Sequence, residues 1–354
     1  MMLLGIGGCT ALLVTGFGLR DSIFNIVDYQ FEEVTVYDIA VSFQDNQTEE
    51  QQERFREKLQ GGVDQILFCH QSSVELDTGD AVKEVYLLAS DSRLKNFVDL
   101  HHGNQALDMP GTGEALVSCG AAEAMGIDVG DRITLRNPDM ETLSLTVAGI
   151  YDNNVYNYVI LDSQTVRLAW GADYGEQTAL ITTREDQDVH AASAKILDME
   201  GVLNVLVSED LASQVGSMMD AMDLIVVTVV FCAGLLAVIV LYNLTNININ
   251  ERVREIATIK VLGFRAGETA AYVFKENLSL SVMGALLGLL GGKFLLTFVM
   301  SQIKLDMVWF QARVTPWSYL LSIVMTLLAA CLVDLLFYFR LEKINMAEAL
   351  KSVE

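Results

Sequence analysis

The sequence contains no GxxxxGK[ST] run and no Cys-x-x-Cys pair. The first absence removes the phosphate cradle of a P-loop ATPase, so if ATP powers this protein another chain hydrolyses it. The second argues against metal binding or redox chemistry through cysteine. The N-terminus lacks the basic flank and small-residue cleavage site of a signal peptide, and Met1–Gly18 reads as an uncleaved span. Basic residues are scarce over 17–220, where 12 Lys+Arg stand against 36 Asp+Glu; residues 221–354 hold 11 against 10. A surface that acidic repels nucleic acid and anionic headgroups, which excludes DNA or RNA as a partner. It attracts cationic peptides or metal ions, or simply keeps a domain in solution.

What is present is a one-plus-three pattern of apolar segments at 1–18, 224–242, 278–300 and 317–339. At 1.5 Å per helical residue each is long enough for a hydrocarbon core of about 30 Å, with modest thinning at the first two. The expected fold is a membrane α-helical protein of four spans with an α/β (α+β) extracellular domain, 19–220, inserted between helices 1 and 2. Residues 221–354 form the rest of the membrane domain. Five basic residues (Arg252, Arg254, Lys260, Arg265, Lys275) lie in loop 243–277 and three in tail 340–354, against Lys304 and Arg313 in the opposite loop. The positive-inside rule therefore places 243–277 and the tail in the cytoplasm. An anionic inner leaflet would repel the acidic domain, which points it outward as well. Tyr242, Trp309, Phe310, Trp317, Tyr338 and Phe339 suit interfacial belts. No charged flank precedes the first span, so the chain is expected to begin mid-span of a longer parent.

Within 19–220 the pattern alternates between strand and helix. Glu33–Ser42 has strand character, and Thr48 with Gln51 forms a capping box for a helix ending at Gly61-Gly62. Strands follow at Ile66–Phe68, Val82–Ala89 and Leu116–Ser118, then a short helix at Ala121–Met125. Arg132–Arg136 and Thr142–Ala148 pair across an Asn-Pro-Asp turn. Val155–Leu161 is a strand, Ser163–Trp170 and Asp188–Met199 are helices, and Val202–Val207 is the last strand. Ser208 caps a helix that can run unbroken into the second span. Cys69 and Cys119 could pair, and spacing leaves that open.

No catalytic constellation stands out. Asp77-Thr78-Gly79 has no second copy to share a proton, and reads as a turn. His101-His102 lacks a metal partner set and reads as a pair of solvent-exposed turn histidines. Gly111-Thr112-Gly113 reads as a loop. In the membrane half, Gly284, Gly288 and Gly292 place small residues on one helical face, matched by Gly7, Ala11 and Thr15, and this suits close helix packing. Two ionisable residues lie within spans. Lys293 falls roughly 10 Å from the outer end of its span and Asp334 roughly 7 Å from the inner end of the next, too far apart in depth to pair. Each is expected to snorkel to its own interface. Asn243–Glu276 forms an amphipathic, charged elbow, suited to a partner's groove or to lying on headgroups as a connector.

The run Glu251-Arg252-x-Arg254-Glu255-Ile256-Ala257-x-x-Lys260-x-Leu262-Gly263, with Glu276, Gly284 and Gly288 following and Met346–Lys351 at the tail, resembles the FtsX-like permease family. These are membrane subunits of MacB-type ABC transporters. Residues 5–23 are most similar to the C-terminal half of large duplicated bacterial members, and 114–162 resembles a periplasmic-core type domain. The resemblance implies a permease subunit in the bacterial cell membrane that has no enzymatic activity or cofactor. A cytoplasmic ATPase would dock on Glu251, Arg252, Arg254, Glu255, Ile256, Lys260, Leu262 and Gly263. Its motion would reach an extracellular domain that exports or extracts a peptide, antibiotic or lipoprotein-like substrate. A second permease copy, or the other half of a longer permease, and membrane lipids would complete the assembly. The alternative is a membrane-anchored receptor or regulator, sensing peptides or controlling an envelope enzyme without transport.

Overall fold

A computed structural model of the chain describes residues 2–59, 61–171, 174–184, 187–252, 255, 258–259, 266–302, 308–310 and 312–342. It divides into two compact units. One takes Met1–Phe24, Met219–Ile303 and Gln311–Glu354; the other takes Asn25–Met218 and Lys304–Phe310.

Among the described residues, four helices build the first unit. They are α1 (Met2–Asp28), α6 (Ser208–Glu251), α7 (Ala266–Gln302) and α8 (Pro316–Glu342). Among the described residues, four segments, Met2–Val34, Ser208–Glu251, Phe274–Gln302 and Pro316–Tyr338, are long and apolar enough to cross a membrane. Helices are the form such segments must take, because each backbone N–H and C=O finds its partner within the segment. Half of the α1 apolar window is buried, against 22%, 28% and 33% for the other three, so α1 is the central helix of this unit. Ile6 of α1 joins Leu241, Ile249, Ala330, Val333 and Phe337 in its core. The outer faces of α6, α7 and α8 carry exposed Leu224, Phe231, Leu290, Phe294, Leu328 and Leu335, as lipid contact requires. Buried hydroxyls are satisfied mainly by their own helix: Thr10 donates to Ile6 O (3.0 Å), Ser281 to Asn277 O (2.9 Å) and Thr326 to Ser322 O (2.8 Å).

The second unit is α+β. Strands β1 (Ile39–Phe43), β2 (Val63–Asp77), β10 (Thr178–Thr183) and β11 (Val202–Val207) pair antiparallel in the order β11-β1-β10-β2. Helices α2 (Glu49–Leu59) and α5 (Val189–Leu197) follow β1 and β10, giving a split β-α-β arrangement. Alternation decides the faces. Ile39, Val41 and Phe43 turn to Phe55 and Ile196 of the helices, and Ala40 and Ser42 turn the other way.

The long strand β2 also belongs to a second sheet. After β3 (Val82–Ser90) come β6 (Glu114–Ser118), β7 (Arg132–Arg136), β8 (Thr142–Tyr151) and β9 (Tyr158–Asp162), ordered β2-β3-β9-β6-β8-β7. Residues Glu75–Asp77 of β2 then pair with Thr134–Arg136 of β7, which closes the ring. Leu76, Leu87, Val117, Leu135, Val147 and Leu161 fill its interior, with α3 (Cys119–Met125) and α4 (Ser163–Trp170) packed against them. A two-stranded hairpin of β4 (His101–His102) and β5 (Gln105–Ala106) lies beside it. Closure leaves few free edges for unwanted pairing.

The structure departs from the sequence reading in definite places. The strand expected from Glu33 begins at Ile39, because Tyr29–Val34 remains a π-helix continuing α1. Its buried Gln30 holds it there: Nε2 donates to Asn153 Oδ1 (2.8 Å), and Oε1 accepts from Asn154 N (2.7 Å). Ile66–Phe68 is only part of the 15-residue β2, and Val155 precedes β9 rather than opening it. The Ser208 hydroxyl donates to Tyr37 O (2.7 Å) instead of capping α6. Gln51 does fold back on Thr48 N (2.9 Å), and Asp188 caps α5 through His190 N (2.9 Å).

Leu87 is fully buried in the closed sheet, whereas Leu168 on α4 is 78% exposed. We expect Leu87→Ala to lower unfolding free energy by about 2–5 kcal/mol. Leu168→Ala should change it by less than about 0.5 kcal/mol. Denaturation of the purified full chain, followed by circular dichroism, checks both.

Candidate functional site

The glycines of α7 face α1 at backbone distance. A Cβ on Gly288 would lie 2.6 Å from both Gly7 O and Thr10 Cβ, and one on Gly292 would lie 2.5 Å from Val14 Cβ. At Gly284 the neighbour is Ile6 Cβ at 2.8 Å. From the other side, a Cβ on Gly7 would be 3.2 Å from Gly284 O. Thr15 Oγ1 reaches across to Gly292 O (3.3 Å) as well as to Ala11 O (2.8 Å). The three glycines thus act together as one contact, at a spacing of one helical turn each.

The two intramembrane charges are not brought together. Lys293 is exposed, beside Leu289, Leu290, Phe294, Pro316 and Tyr319, and no ion pair joins it to Asp334. Asp334 does not snorkel. It is 8% exposed and accepts a hydrogen bond from Asn277 Nδ2 (2.5 Å), which also reaches Thr245 Oγ1 (3.3 Å). Among the described residues the Asn277 Oδ1 has no partner. Three helices, α6, α7 and α8, each contribute one member of this cluster. Burying it is tolerable only because the members bond one another. Sequence reading missed Asn277 and Thr245, which carry no charge to mark them inside apolar runs.

Of the expected docking residues, Glu251 ends α6 exposed, Arg252 follows it, and Glu255 is exposed. Arg252 Nη1 is paired with Glu276 Oε2 of α7, tying the two sides of the elbow. Arg254, Ile256, Lys260, Leu262 and Gly263, and the tail motif Met346–Lys351, lie outside the described residues.

In the second unit the loop residues 308–310 form a strap. Val308 bridges Val155, Trp309 N donates to Asn154 O (2.8 Å), and Trp309 Nε1 donates to Glu123 Oε2 (2.6 Å). Gly120 makes room, since a Cβ there would meet Trp309 Cβ at 2.9 Å. Trp309 and Phe310 therefore pack on protein rather than serving an aromatic belt. Nearby, His101 and His102 are not free turn residues. Tyr29 Oη lies 2.7 Å from His101 Nε2 and donates to Asp152 Oδ2 (3.0 Å), while His102 Nδ1 lies 2.9 Å from Asp152 Oδ1. Asp77 accepts from Gly79 N (2.7 Å) in a plain turn, and Gly113 N donates to Thr165 Oγ1 (3.1 Å). Cys69 and Cys119 are both buried free thiols. Burial pushes Cys69 well up and Cys119 up to about 12, so neither is a ready nucleophile. No cluster of three or more metal-ligating side chains occurs among the described residues.

The family model for the FtsX-like permease C-terminal region matches residues 227–346, and that for the MacB-like periplasmic core domain matches residues 1–199. The periplasmic region of MacB from Actinobacillus actinomycetemcomitans is 9% identical, covering 54% of this chain and 97% of that one, with a TM-score of 0.36. The extracellular domain of the noncanonic ABC-type transporter YknZ from Gram-positive bacteria is 14% identical, covering 48% and 99%, with a TM-score of 0.34. A domain of a putative permease protein from Porphyromonas gingivalis is 17% identical, covering 47% and 76%, with a TM-score of 0.29. Among curated proteins nothing matches.

Overpacking a tight contact costs about 1–3 kcal/mol. Gly288→Leu should therefore lower the melting temperature of the detergent-solubilised chain by several degrees. Gly291→Ala, whose Cβ would meet only Ala11 Cβ at 3.7 Å, should leave it unchanged. Equal melting of the two variants would remove the glycine contact from consideration.

Proposed function

We propose, starting from the fact that the chain belongs to the FtsX-like permeases with a MacB-like periplasmic core domain, that it relays ATP-driven motion to an extracellular work site. It is a multi-pass plasma-membrane permease of ABC type with an extracellular domain. Permeases of this family are generally non-catalytic and work with a cytoplasmic ATPase. In the relay, the partner ATPase docks on the elbow 243–277 and displaces it. The displacement passes along the membrane helices to the extracellular domain, which exports or extracts a peptide, antibiotic or lipoprotein-like substrate. A second permease copy, or the other half of a longer permease, contributes the opposing side.

The observation that carries this reading is α6, a single helix of 44 residues. It starts at the last strand of the α/β domain and ends at Glu251, the first charged residue of the elbow. An unbroken helix curves only gently unless a kink is built into its hydrogen-bond ladder, so it suits the role of a connector. The Arg252–Glu276 pair adds support, since it ties the two helices that flank the elbow. The exposed apolar faces of α6 and α7 suit lipid or a second permease chain. A stand-alone receptor would need no such charged elbow, and nothing in the site geometry favours that reading over the relay.

Co-purification with the cell's cytoplasmic ABC-type ATPase tests the docking step. Glu255→Lys and Arg254→Glu should each abolish recovery of the ATPase, while the melting temperature of the permease stays at its parent value. Recovery of the ATPase at the parent level with both variants would move the docking site away from 243–277.

A further inference from the structure

The α/β unit contains a cavity of about 390 Å³ that no part of the relay uses. Its wall is drawn from the π-helix after α1, the helix-free face of β1, β9 and the first turns of α6. No Asp, Glu, Lys, Arg or His lines it, on a domain whose surface is strongly acidic. Five tyrosines do: Tyr37, Tyr86, Tyr151, Tyr156 and Tyr158. Tyr86 stands edge-on to Tyr156, with ring centroids 5.4 Å apart, and lies 5.5 Å from the ring of Tyr158. Tyr151 is 2% exposed. Among the described residues neither its hydroxyl nor that of Tyr37 makes a hydrogen bond. Both residues line the cavity, where a hydroxyl can donate to a bound acceptor.

We infer that this cavity is a binding site for an uncharged, aromatic small molecule that presents hydrogen-bond acceptors. The volume lies within the range of small-molecule sites, about 300–1,000 Å³. Tyrosine faces and edges match an aromatic ring in offset or perpendicular contact. The free hydroxyls of Tyr37 and Tyr151 donate to its acceptors. An organic cation is disfavoured because no carboxylate lines the wall to replace its lost hydration. A bare acyl chain is disfavoured because it would leave the same hydroxyls dry. The site stands independently of the relay, since binding is a property of the α/β unit whether or not an ATPase docks.

Saturation-transfer NMR on the full chain in lipid nanodiscs, with N-acetyl-tyrosinamide as the probe, tests the assignment. Saturable binding above that of empty nanodiscs is expected. Tyr86→Ala should weaken it about fivefold through loss of the ring contact. Tyr151→Phe should also weaken it about fivefold through loss of one hydrogen bond, with no fall in melting temperature. The second variant keeps the test valid if the first disturbs folding. Three results would each overturn the proposal: no saturable binding, equal or tighter binding of phenyltrimethylammonium or decanol, or parent affinity in Tyr151→Phe.

Discussion

The membrane unit depends on the close approach of α1 to α7, where glycine backbone meets glycine backbone. In lipid, burying apolar side chains between helices yields little, because hydrocarbon tails are equally apolar. What holds helices together there is van der Waals fit and interhelical hydrogen bonding, and both need backbones close enough to touch. Gly288 against Gly7 supplies that proximity, and Thr15 to Gly292 O adds a hydrogen bond that only a close pair can form. Because α1 also meets α6 at Gly5 and Gly16, and α8 through Thr10 and Thr326 (3.1 Å), its position sets those of the other three helices. The heavier burial of α1 follows from this central role.

The α/β unit solves a different problem, which is to hold two sheets with one chain. The strand β2 does so by length, pairing with β10 over its first half and with β3 and β7 over its second. The closed sheet then needs no disulfide, and its cysteines stay as small apolar core residues. Buried polar groups cluster where the chain enters this unit. Gln30 bonds four groups from Thr35 and residues 153–155, and Asp152 gathers Tyr29, His102 and Gly103 N. Such networks specify one arrangement, because each member left unpaired would be penalised.

Much of this was legible in the sequence where the cause was local. The hairpin of Arg132–Arg136 with the strand expected at Thr142–Ala148, the helix Ser163–Trp170 and the helix expected from Asp188 all rest on turn chemistry or capping within a few residues. The one-plus-three layout and the glycine face of α7 rest on composition and spacing. What was illegible depends on distant partners. A strand is expected from Glu33, yet Tyr29–Val34 stays helical because Gln30 is held by residues more than a hundred positions away. The length of β2 was hidden because Gln71-Ser72-Ser73 is polar, and pairing with β3 overrides that composition. Asp334 looked isolated because its partner Asn277, which also reaches Thr245, is set by the rotation of another helix. Trp309 looked interfacial because its acceptor, Glu123, lies far away in the chain.

The contrast between the contacts of the membrane unit bears on the proposed relay. Arg252 and Glu276 are each more than a third exposed, so their pairing is worth at most about 1 kcal/mol. Separating Gly288 from Gly7 would leave a backbone-sized void, and pulling Asn277 from Asp334 would leave two buried polar groups unmet. The Arg252–Glu276 pair is therefore a weaker contact than the α1–α7 packing or the Asn277–Asp334 bond. In the proposed relay, a push at the elbow would meet a bundle whose own contacts are stronger than that tie, so the bundle would be displaced rather than unfolded. Had the strong contacts sat at the elbow and the weak ones between the helices, the same push would have been absorbed within the membrane.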